Sequence, residues 1–253
     1  MHELEGAALV TGAGKRIGRA LALRLAAMGH DVAVHCHRSR EDAEATAAEI
    51  EALGRRACVL EADLASEAET ERLVPEAAAR LGPLSVLVNS AAVFENDRLE
   101  SCTRGSWDRH MEVDLRAPVV LCRHFSEQLR DGMPGAVVNL VDSRLLNLTP
   151  NYLSYSIAKA GLWAATQVLA RQLAPRVRVN AIAPGPVIPE PGRPAASFAA
   201  LVDALPLQRG PAVEEIAGAM ALILESPSMT GQMVVLDGGQ AMGWLTPAGA
   251  GRG

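Results

Sequence analysis

A chain of 253 residues that is 21% charged and 49% hydrophobic has the composition of an ordinary globular protein and not of a disordered one. The formal net charge of −5 gives no electrostatic reason to expect nucleic-acid binding. The sequence has neither an apolar run of membrane-spanning length nor an apolar signal core after Met1, so no membrane association is expected. The four cysteines are far apart and lack zinc-finger spacing, and we therefore expect a reduced, cytoplasmic protein.

Short apolar runs alternate with amphipathic stretches of helical length, which is typical of a Rossmann-type α/β fold with helices on both faces of a parallel sheet. The predicted strands are 7–10, 31–35, 56–61, 84–89, 136–141, 177–183 and 232–236. The predicted helices are 17–28, 40–53, 67–81, 104–128, 152–173 and 213–224. We predict one doubly wound domain over 1–253, with a Pro- and Gly-rich substrate lid in 184–212 and a tail at 241–253.

A glycine-rich loop lies between the first predicted strand and the first predicted helix. Glycines let the backbone approach a pyrophosphate, and the N-terminus of the following helix attracts its negative charge. An ordinary tight turn is the alternative. The position of the loop favours a dinucleotide site, and the predicted contacts are Gly12, Gly14, Lys15, Arg16, Ile17 and Gly18.

The end of the second predicted strand indicates which dinucleotide binds. It reads His35-Cys36-His37-Arg38-Ser39 and offers no carboxylate to the ribose hydroxyls of NAD. Arg38, Ser39 and His37 suit a 2′-phosphate instead, with charge added by Lys15 or Arg16, so NADP(H) is predicted over NAD(H). A solvated basic turn is the alternative. His35 and His37 are spaced i and i+2, as two metal ligands on a strand can be, but no third ligand is apparent and no metal site is predicted.

Further ligand contacts are predicted where the third and fourth strands end. Asp63 and Leu64 are placed to approach an adenine ring, although Asp63 is equally suited to cap the following turn. Phe94 follows the fourth strand at the sheet edge where open α/β folds bind ligands, and it is either a stacking platform or part of the core. Small residues let the backbone approach a flat ligand, or simply form a packed turn, at Asn89-Ser90-Ala91-Ala92.

Tyr155 and Lys159 lie one turn apart on a predicted helix, thirteen and seventeen residues after Asp142. A phenol with a pKa of about 10 is a poor proton donor near pH 7, and we expect the Lys159 ammonium to lower that pKa. A protonated Asp142 can deliver a proton to a ring nitrogen, and an ionised one can accept hydrogen bonds from an amino group. Either state favours a nitrogen heterocycle over a ketone. The alternatives are a helical surface pair, and an Asp142 that only caps a loop while Ser143 polarises the substrate.

Taken together, the glycine loop, the segment 89–92 and the Tyr155/Lys159 pair resemble the short-chain dehydrogenase/reductase family in order and spacing. The resemblance covers nearly the whole chain and extends to Arg178-Val179-Asn180-Ala181-Ile182-Ala183-Pro184-Gly185 and Asp237-Gly238-Gly239. It implies that Lys159 binds the nicotinamide ribose and that Pro184 and Gly185 contact the cofactor. It also implies a homotetramer packed through the long helices and the last strand, with Trp244 either at that interface or in a tail.

Two departures from the common family pattern indicate a subgroup, and a third affects the proton relay. Arg16 replaces the middle glycine of the loop and Asp142 replaces the usual serine, as in pteridine reductases and the short-chain dihydromonapterin and dihydrofolate reductases of bacteria. That resemblance implies that Arg16 and Phe94 contact a pterin lying between the aromatic ring and the nicotinamide. Asp114 stands where the family commonly has an asparagine of the proton relay, and it lacks the amide donor.

We therefore predict an NADPH-dependent reductase of a pterin-type substrate, with Asp142 and Tyr155 handling the proton. A general ketone or 3-oxoacyl reductase is one alternative. A non-catalytic NADP(H)-binding sensor is another, which Asp114 favours and the retained Tyr155 and Lys159 disfavour.

Overall fold

Seven strands form the central sheet of the computed structural model, which describes residues 4–189 and 194–243. All the neighbouring strands are parallel, in the spatial order β3-β2-β1-β4-β5-β6-β7. The strands are β1 Ala7–Val10, β2 Val32–Cys36, β3 Ala57–Glu61, β4 Leu84–Asn89, β5 Gly135–Leu140, β6 Val177–Pro184 and β7 Met233–Leu236. The strand order reverses between β1 and β4, where a doubly wound sheet opens a crevice for ligands. The predicted fold class is confirmed.

Helices cover both faces of this sheet. They are α1 Arg16–Ala27, α2 Arg40–Ala52, α3 Glu67–Leu81, α4 Arg104–His110, α5 Ala117–Gln128, α6 Leu153–Gln172, α7 Ala195–Asp203 and α8 Val213–Glu225. In the described part of the chain, none of the helices combines the length and apolar character needed to cross a bilayer.

Alternate residues of each strand enter two different cores. On β1, Ala8 and Val10 pack with α1, α2 and α8, whereas Ala7 and Leu9 pack with α3 and α5. All four are buried, so the strand reads as a continuous apolar run instead of an alternating one. Two covered faces hold the sheet rigid, and its carboxyl edge therefore carries the candidate site on a fixed base.

The long predicted helix at 104–128 is interrupted. A π-helical turn at Met111–Arg116 separates α4 from α5. Pro118, in the first turn of α5, lacks the amide hydrogen that a regular α-helix would direct to the carbonyl of Asp114, and this accounts for the wider turn. The turn directs the Asp114 side chain into the interior, where it is fully buried.

The Pro- and Gly-rich segment after β6 contains a helix that the sequence pattern does not indicate, α7 at Ala195–Asp203. Residues on both sides of 190–193 face the cavity at the sheet edge, including Val187, Ile188, Phe198 and Leu201. Residues 190–193 of the predicted lid, residues 244–253 of the predicted tail and Trp244 lie outside the described residues.

Candidate active site

A cavity of about 600 Å³ opens at the carboxyl ends of β1, β2 and β4. Most of the residues predicted to bind a dinucleotide line it, namely Gly12, Lys15, Arg16, Ile17, Gly18, His37, Arg38, Ser39, Asp63, Leu64, Ser90 and Ala91. Residues far apart in sequence meet here because the carboxyl ends of parallel strands share one edge of the sheet.

Two glycines of the loop are required by close packing. Gly12 has φ +64°, and a Cβ there would lie 2.9 Å from the Cα of Ala91. A Cβ on Gly18 would lie 2.1 Å from the Gly12 carbonyl oxygen. The loop therefore closes tightly onto α1, whose first turn contains no acidic side chain. Its free amide groups give the cleft the character of an anion site.

The structure corrects the predicted cofactor contacts at Gly14 and Asn89. The Gly14 carbonyl accepts a hydrogen bond from Thr46 Oγ1 at 3.1 Å, so this residue packs against α2. Asn89 is buried, and its Nδ2 donates to Asn139 Oδ1 at 2.8 Å. Both residues are buried, and neither is among the residues that line the cleft. Both residues support the loops that do line it.

The basic end of the cleft lies after β2. Arg38 is exposed there, and in the described part of the chain it has no hydrogen-bond acceptor or acidic partner. Lys15 Nζ pairs with Asp42 at 3.1 Å, and His37 Nε2 lies 3.7 Å from Asp63 Oδ2. The two acids near this end are thus engaged with basic side chains, which leaves the Arg38 guanidinium available for a phosphate.

His35 and Asp63 have roles in supporting the loops. His35 is buried, accepts a hydrogen bond from the Gly12 amide at 3.1 Å, and lies 3.1 Å from the Ala62 carbonyl oxygen. Burial lowers the pKa of His35 to about 4, so its ring is neutral. Asp63 Oδ1 accepts from the Ala65 amide at 2.9 Å and caps the turn, as the alternative prediction had it. Within the described residues, no group of three or more potential ligands is placed to hold a metal ion.

A second cavity, of about 710 Å³, adjoins the first and shares Arg16, Ile17 and Ser90 with it. It brings together the residues predicted to act on the substrate or to contact the nicotinamide end of the cofactor, namely Arg16, Phe94, Asp142, Tyr155, Lys159, Pro184 and Gly185. The dinucleotide cleft therefore continues directly into the candidate catalytic group.

Tyr155 and Asp142 form a hydrogen-bonded pair at the centre of this cavity. Tyr155 Oη donates to Asp142 Oδ2 at 2.9 Å, and the Arg144 amide donates to Asp142 Oδ1 at 2.8 Å. Burial raises the pKa of Asp142, an effect partly offset by the Arg144 amide and by nearby positive charge. The carboxyl therefore holds a proton more readily than a solvated aspartate.

The expected effect of Lys159 on Tyr155 is corrected by this geometry. The pKa of Tyr155 is raised well above its ordinary value, first by burial and then by the charges of Asp142 and Asp114. The Lys159 ammonium lies 5.8 Å from the centroid of the Tyr155 ring, and it does not outweigh these effects. The phenol is consequently neutral, and proton exchange involves the pair instead of a preformed phenolate.

Ser143 does not take the place of the family serine. It is fully buried, and its Oγ donates to Gln240 Oε1 at 3.1 Å. Asp142 does cap the short 3₁₀ helix at Ser143–Leu146, but the same carboxyl also reaches Tyr155. The carboxyl, not the serine hydroxyl, faces the cavity.

Lys159 and Asp114 form a buried pair behind Tyr155. Lys159 Nζ donates to the Leu140 carbonyl oxygen at 2.9 Å and lies 3.6 Å from Asp114 Oδ1. That same Oδ1 accepts from the Val93 amide at 3.1 Å, while Oδ2 is buried with no partner among the described residues. Burial, partly offset by Lys159, raises the pKa of Asp114 to about 6. Asp114 is thus a titratable group beside Lys159, and its part in a proton relay stays a prediction from the family resemblance.

An aromatic wall completes the cavity. Phe94 is half-buried, stacks on Tyr152 with ring centroids 4.5 Å apart and an interplanar angle of 8°, and meets the Tyr155 ring edge-on at 4.7 Å. The Arg144 guanidinium lies over Tyr152. Sequence reasoning missed Tyr152 and Arg144. The available signals were the single helical turn between the two tyrosines and the position of Arg144 two residues after Asp142.

The family model described as Enoyl-(Acyl carrier protein) reductase matches residues 12–241. The chain belongs to the short-chain dehydrogenase/reductase family. The match spans the glycine loop, the Tyr155/Lys159 pair and the segment after β6, and the predicted family is confirmed.

Among solved structures of this family, the chain is similar to FolM Alternative dihydrofolate reductase 1 from Brucella canis, which was crystallised with NADP. The identity is 42% with a TM-score of 0.90, covering 98% of this chain and 99% of that one. The Brucella suis protein of the same name, also with NADP, is 43% identical with a TM-score of 0.92 and the same coverage. A curated relative, the 3-oxoacyl-[acyl-carrier-protein] reductase FabG of Staphylococcus epidermidis, is 30% identical over 93% of this chain and 98% of its own length.

Proposed function

We propose that this short-chain reductase uses NADP(H) to reduce the C=N bond of a dihydropterin-type substrate to the tetrahydro form. The observation that carries the proposal is the hydrogen bond of 2.9 Å between Tyr155 and the Asp142 carboxyl, in a cavity walled by Phe94. The similarity to the two Brucella proteins named as alternative dihydrofolate reductases supports it.

NADP(H) is the cofactor that the cleft fits. The glycine loop and the start of α1 would hold the pyrophosphate, and Arg38 and Ser39 would meet the 2′-phosphate. Lys159, which lines the adjoining cavity, would meet the nicotinamide ribose. When bound, NADPH supplies the hydride. The solved relatives that carry NADP agree with this choice.

Asp142 is the proton donor in this proposal. Reduction of a C=N bond adds a proton to nitrogen, and a buried carboxyl with a raised pKa can supply it. The Tyr155 hydroxyl already donates to Asp142 Oδ2, so it stabilises the carboxylate left after transfer. Solvent then reprotonates Asp142. Phe94 supplies an aromatic face for a flat pterin ring, and Arg16 lines the same cavity.

A second candidate is reduction of a 3-oxoacyl or other ketone substrate. The FabG relatives favour it by name. The carboxyl at position 142 argues against it, because it replaces the serine of the common family pattern and the nearby Ser143 hydroxyl donates to Gln240 instead.

We also propose a cytoplasmic setting, supported by the four cysteines, all of which are unpaired. We propose, from the family resemblance, that the chain forms a homotetramer.

The test is NADPH oxidation, followed by absorbance, with dihydrobiopterin, dihydromonapterin and dihydrofolate beside ketones and a 3-oxoacyl thioester. A pterin should give the highest kcat/KM, and NADH should serve less well than NADPH. Tyr155→Phe should bind NADPH but turn over no substrate. Preference for a ketone would make the protein a carbonyl reductase, and NADPH binding without oxidation by any substrate would make it a sensor.

A further inference from the structure

The Arg144 side chain is half-buried, and its guanidinium has no hydrogen-bond acceptor among the described residues. Of the arginines in 4–189 and 194–243, it is the one that is half-buried and yet makes no side-chain hydrogen bond or ion pair. Its Nε is buried and has no partner among the described residues. Unpaired buried donors are uncommon because each costs the desolvation of its hydrogen-bonding group. Arg144 also lines the substrate cavity, which points to a ligand that accepts from the other N–H groups of the guanidinium.

Two aromatic rings hold the Arg144 guanidinium in place. Its Cζ lies 4.4 Å from the Tyr152 centroid and 5.6 Å from that of Phe94. Contacts with ring faces fix a planar cation without using its N–H donors, which stay free in the plane of the group. Phe94 also faces the substrate cavity, so the guanidinium lies beside the proposed pterin platform.

Among the described residues, the acids of the cavity wall make no ion pair or hydrogen bond with the Arg144 guanidinium, although its charge helps to lower the pKa of Asp142. Glu95 pairs with Arg109, with Glu95 Oε2 3.3 Å from Arg109 Nη2. Asp142 is hydrogen-bonded to Tyr155 through one oxygen and to the Arg144 backbone amide through the other. The Arg144 guanidinium therefore has no hydrogen-bond acceptor among the described residues, and its positive charge favours an anionic ligand.

We propose that Arg144 is the anion-recognising residue of the substrate site and that the substrate carries a carboxylate. The inference rests on the proposed function and narrows it. Among dihydropterins, dihydrofolate bears a glutamate on a p-aminobenzoyl arm, whereas the side chains of dihydrobiopterin and dihydromonapterin are uncharged. The site therefore selects a folate-type substrate, and the guanidinium receives its carboxylate in the bidentate geometry that arginine favours.

The experiment measures the ratio of two kcat/KM values, because a variant that lowers both values equally leaves this ratio unchanged. It compares kcat/KM for dihydrofolate with kcat/KM for dihydrobiopterin in the wild type, Arg144→Met and Arg144→Lys. A lost charge-assisted contact should lower the ratio by about 10- to 100-fold in Arg144→Met, with partial recovery in Arg144→Lys. Arg171→Met, which removes an exposed arginine at the end of α6, should keep the wild-type ratio.

A ratio within about twofold of wild type in Arg144→Met would overturn the proposal while leaving pterin reduction intact. If the wild type reduces no pterin, the proposed function fails separately, and Arg144 is then judged by titrating the NADP⁺-saturated protein with p-aminobenzoylglutamate. Binding that weakens at least tenfold in Arg144→Met supports the anion site. Absent binding in the wild type, or equal binding in both proteins, rejects it.

Discussion

Asp142 and Asp114 place two carboxyl groups near Tyr155, of which Asp142 is half-buried and Asp114 fully buried. Asp142 is hydrogen-bonded to the phenol, and Asp114 lies 3.6 Å from the Lys159 ammonium behind it. Burial raises the pKa of both carboxyls and of the Tyr155 phenol. Near pH 7 the group therefore holds more protons than the same residues would in water, which suits a site that must deliver one.

Asp114 makes stability depend on pH in a defined direction. Its pKa in the folded protein, about 6, is above the ordinary value of 3.8, so the folded state is favoured when the carboxyl is protonated. That contribution is complete below pH 3.8 and is lost as the pH rises through 6. Asp114→Asn keeps an acceptor for the Val93 amide and removes the charge.

Asp114→Asn should accordingly raise the free energy of unfolding at pH 8 by up to about 3 kcal/mol. Near pH 4 the difference from wild type should largely vanish. Urea unfolding at the two pH values measures it, with Asp131→Asn, at an exposed position, as the matched control. An equal loss of stability at both pH values would show that the Lys159 contact outweighs the burial of the charge.

The sequence predicted which residues form the site, but it did not predict the pKa shifts of those residues. The spacing of Tyr155, Lys159 and Asp142 predicts that they meet, and they do. The direction of the Tyr155 pKa was predicted wrongly, because it depends on how deeply the phenol and two carboxyls are buried, which spacing does not reveal. Arg144 was missed for a related reason. Its significance depends on the lack of a hydrogen-bond or ion-pair partner among the described residues, which a sequence does not show.

Among the secondary-structure elements, α6 carries the catalytic tyrosine and begins in an unusual way. Its N-cap, Tyr152, has left-handed backbone conformation and provides no side-chain cap. Asp97, in the loop that also carries Phe94, supplies the cap. Its carbonyl oxygen accepts from the Leu153 amide at 3.1 Å and its Oδ1 from the Ser154 amide at 3.0 Å. The loop with the aromatic platform is thereby joined to the start of the catalytic helix.

Asp97→Ala should reduce kcat for the pterin by about tenfold or more, because Tyr155 follows the residues that Asp97 holds. Stability should fall by about 1–3 kcal/mol through loss of the cap and of its buried hydrogen bond to Ser154 Oγ. Steady-state kinetics, NADPH binding and thermal unfolding measure these effects.

Asp108→Asn is the matched control, since this acid pairs with Arg104 on the surface of α4. A fall in stability with kcat unchanged would mean that Asp97 serves folding alone.

The elements themselves were predicted to within a residue or two at most ends, because buried parallel strands and amphipathic helices leave strong patterns. The π-helical turn was missed, although Pro118 marked it in the sequence. The helix α7 was missed because the prolines and glycines before it suggest irregular structure.

At the scale of the whole molecule, the surface carries apolar side chains on the elements that the family resemblance assigns to an interface. Ile157 and Val168 of α6 are 42% and 61% exposed, and Val235 of β7 is 36% exposed. Within the described residues, β7 pairs only with β6, so its other edge is open. Exposed apolar groups beside an open strand edge are typical of a surface that pairs with another copy.

We expect a homotetramer with about four times the 26.6 kDa mass of the chain. Val168→Glu should lower the mass measured by light scattering, because it places a charge in the proposed interface. Leu53→Glu, at an exposed apolar site at the end of α2, should not. A wild-type protein that stays monomeric at micromolar concentration would contradict the expectation.

The doubly wound parallel sheet followed from the alternation of strands and helices together with the family resemblance, and the meeting of the motifs at one sheet edge followed from it. The two adjoining cavities could not be predicted from the sequence, because their shape depends on side chains from the loop after β4, the segment after β6 and α7.

The central claim is that a carboxyl at position 142 adapts this site to a nitrogen heterocycle, and Asp142→Ser tests it most directly. Measured by NADPH oxidation, kcat/KM for the preferred dihydropterin should fall at least 100-fold, the typical contribution of a general acid, while ketone turnover persists or rises. Pterin turnover that stays within about threefold of wild type would contradict the account and leave Asp142 as the cap of a loop.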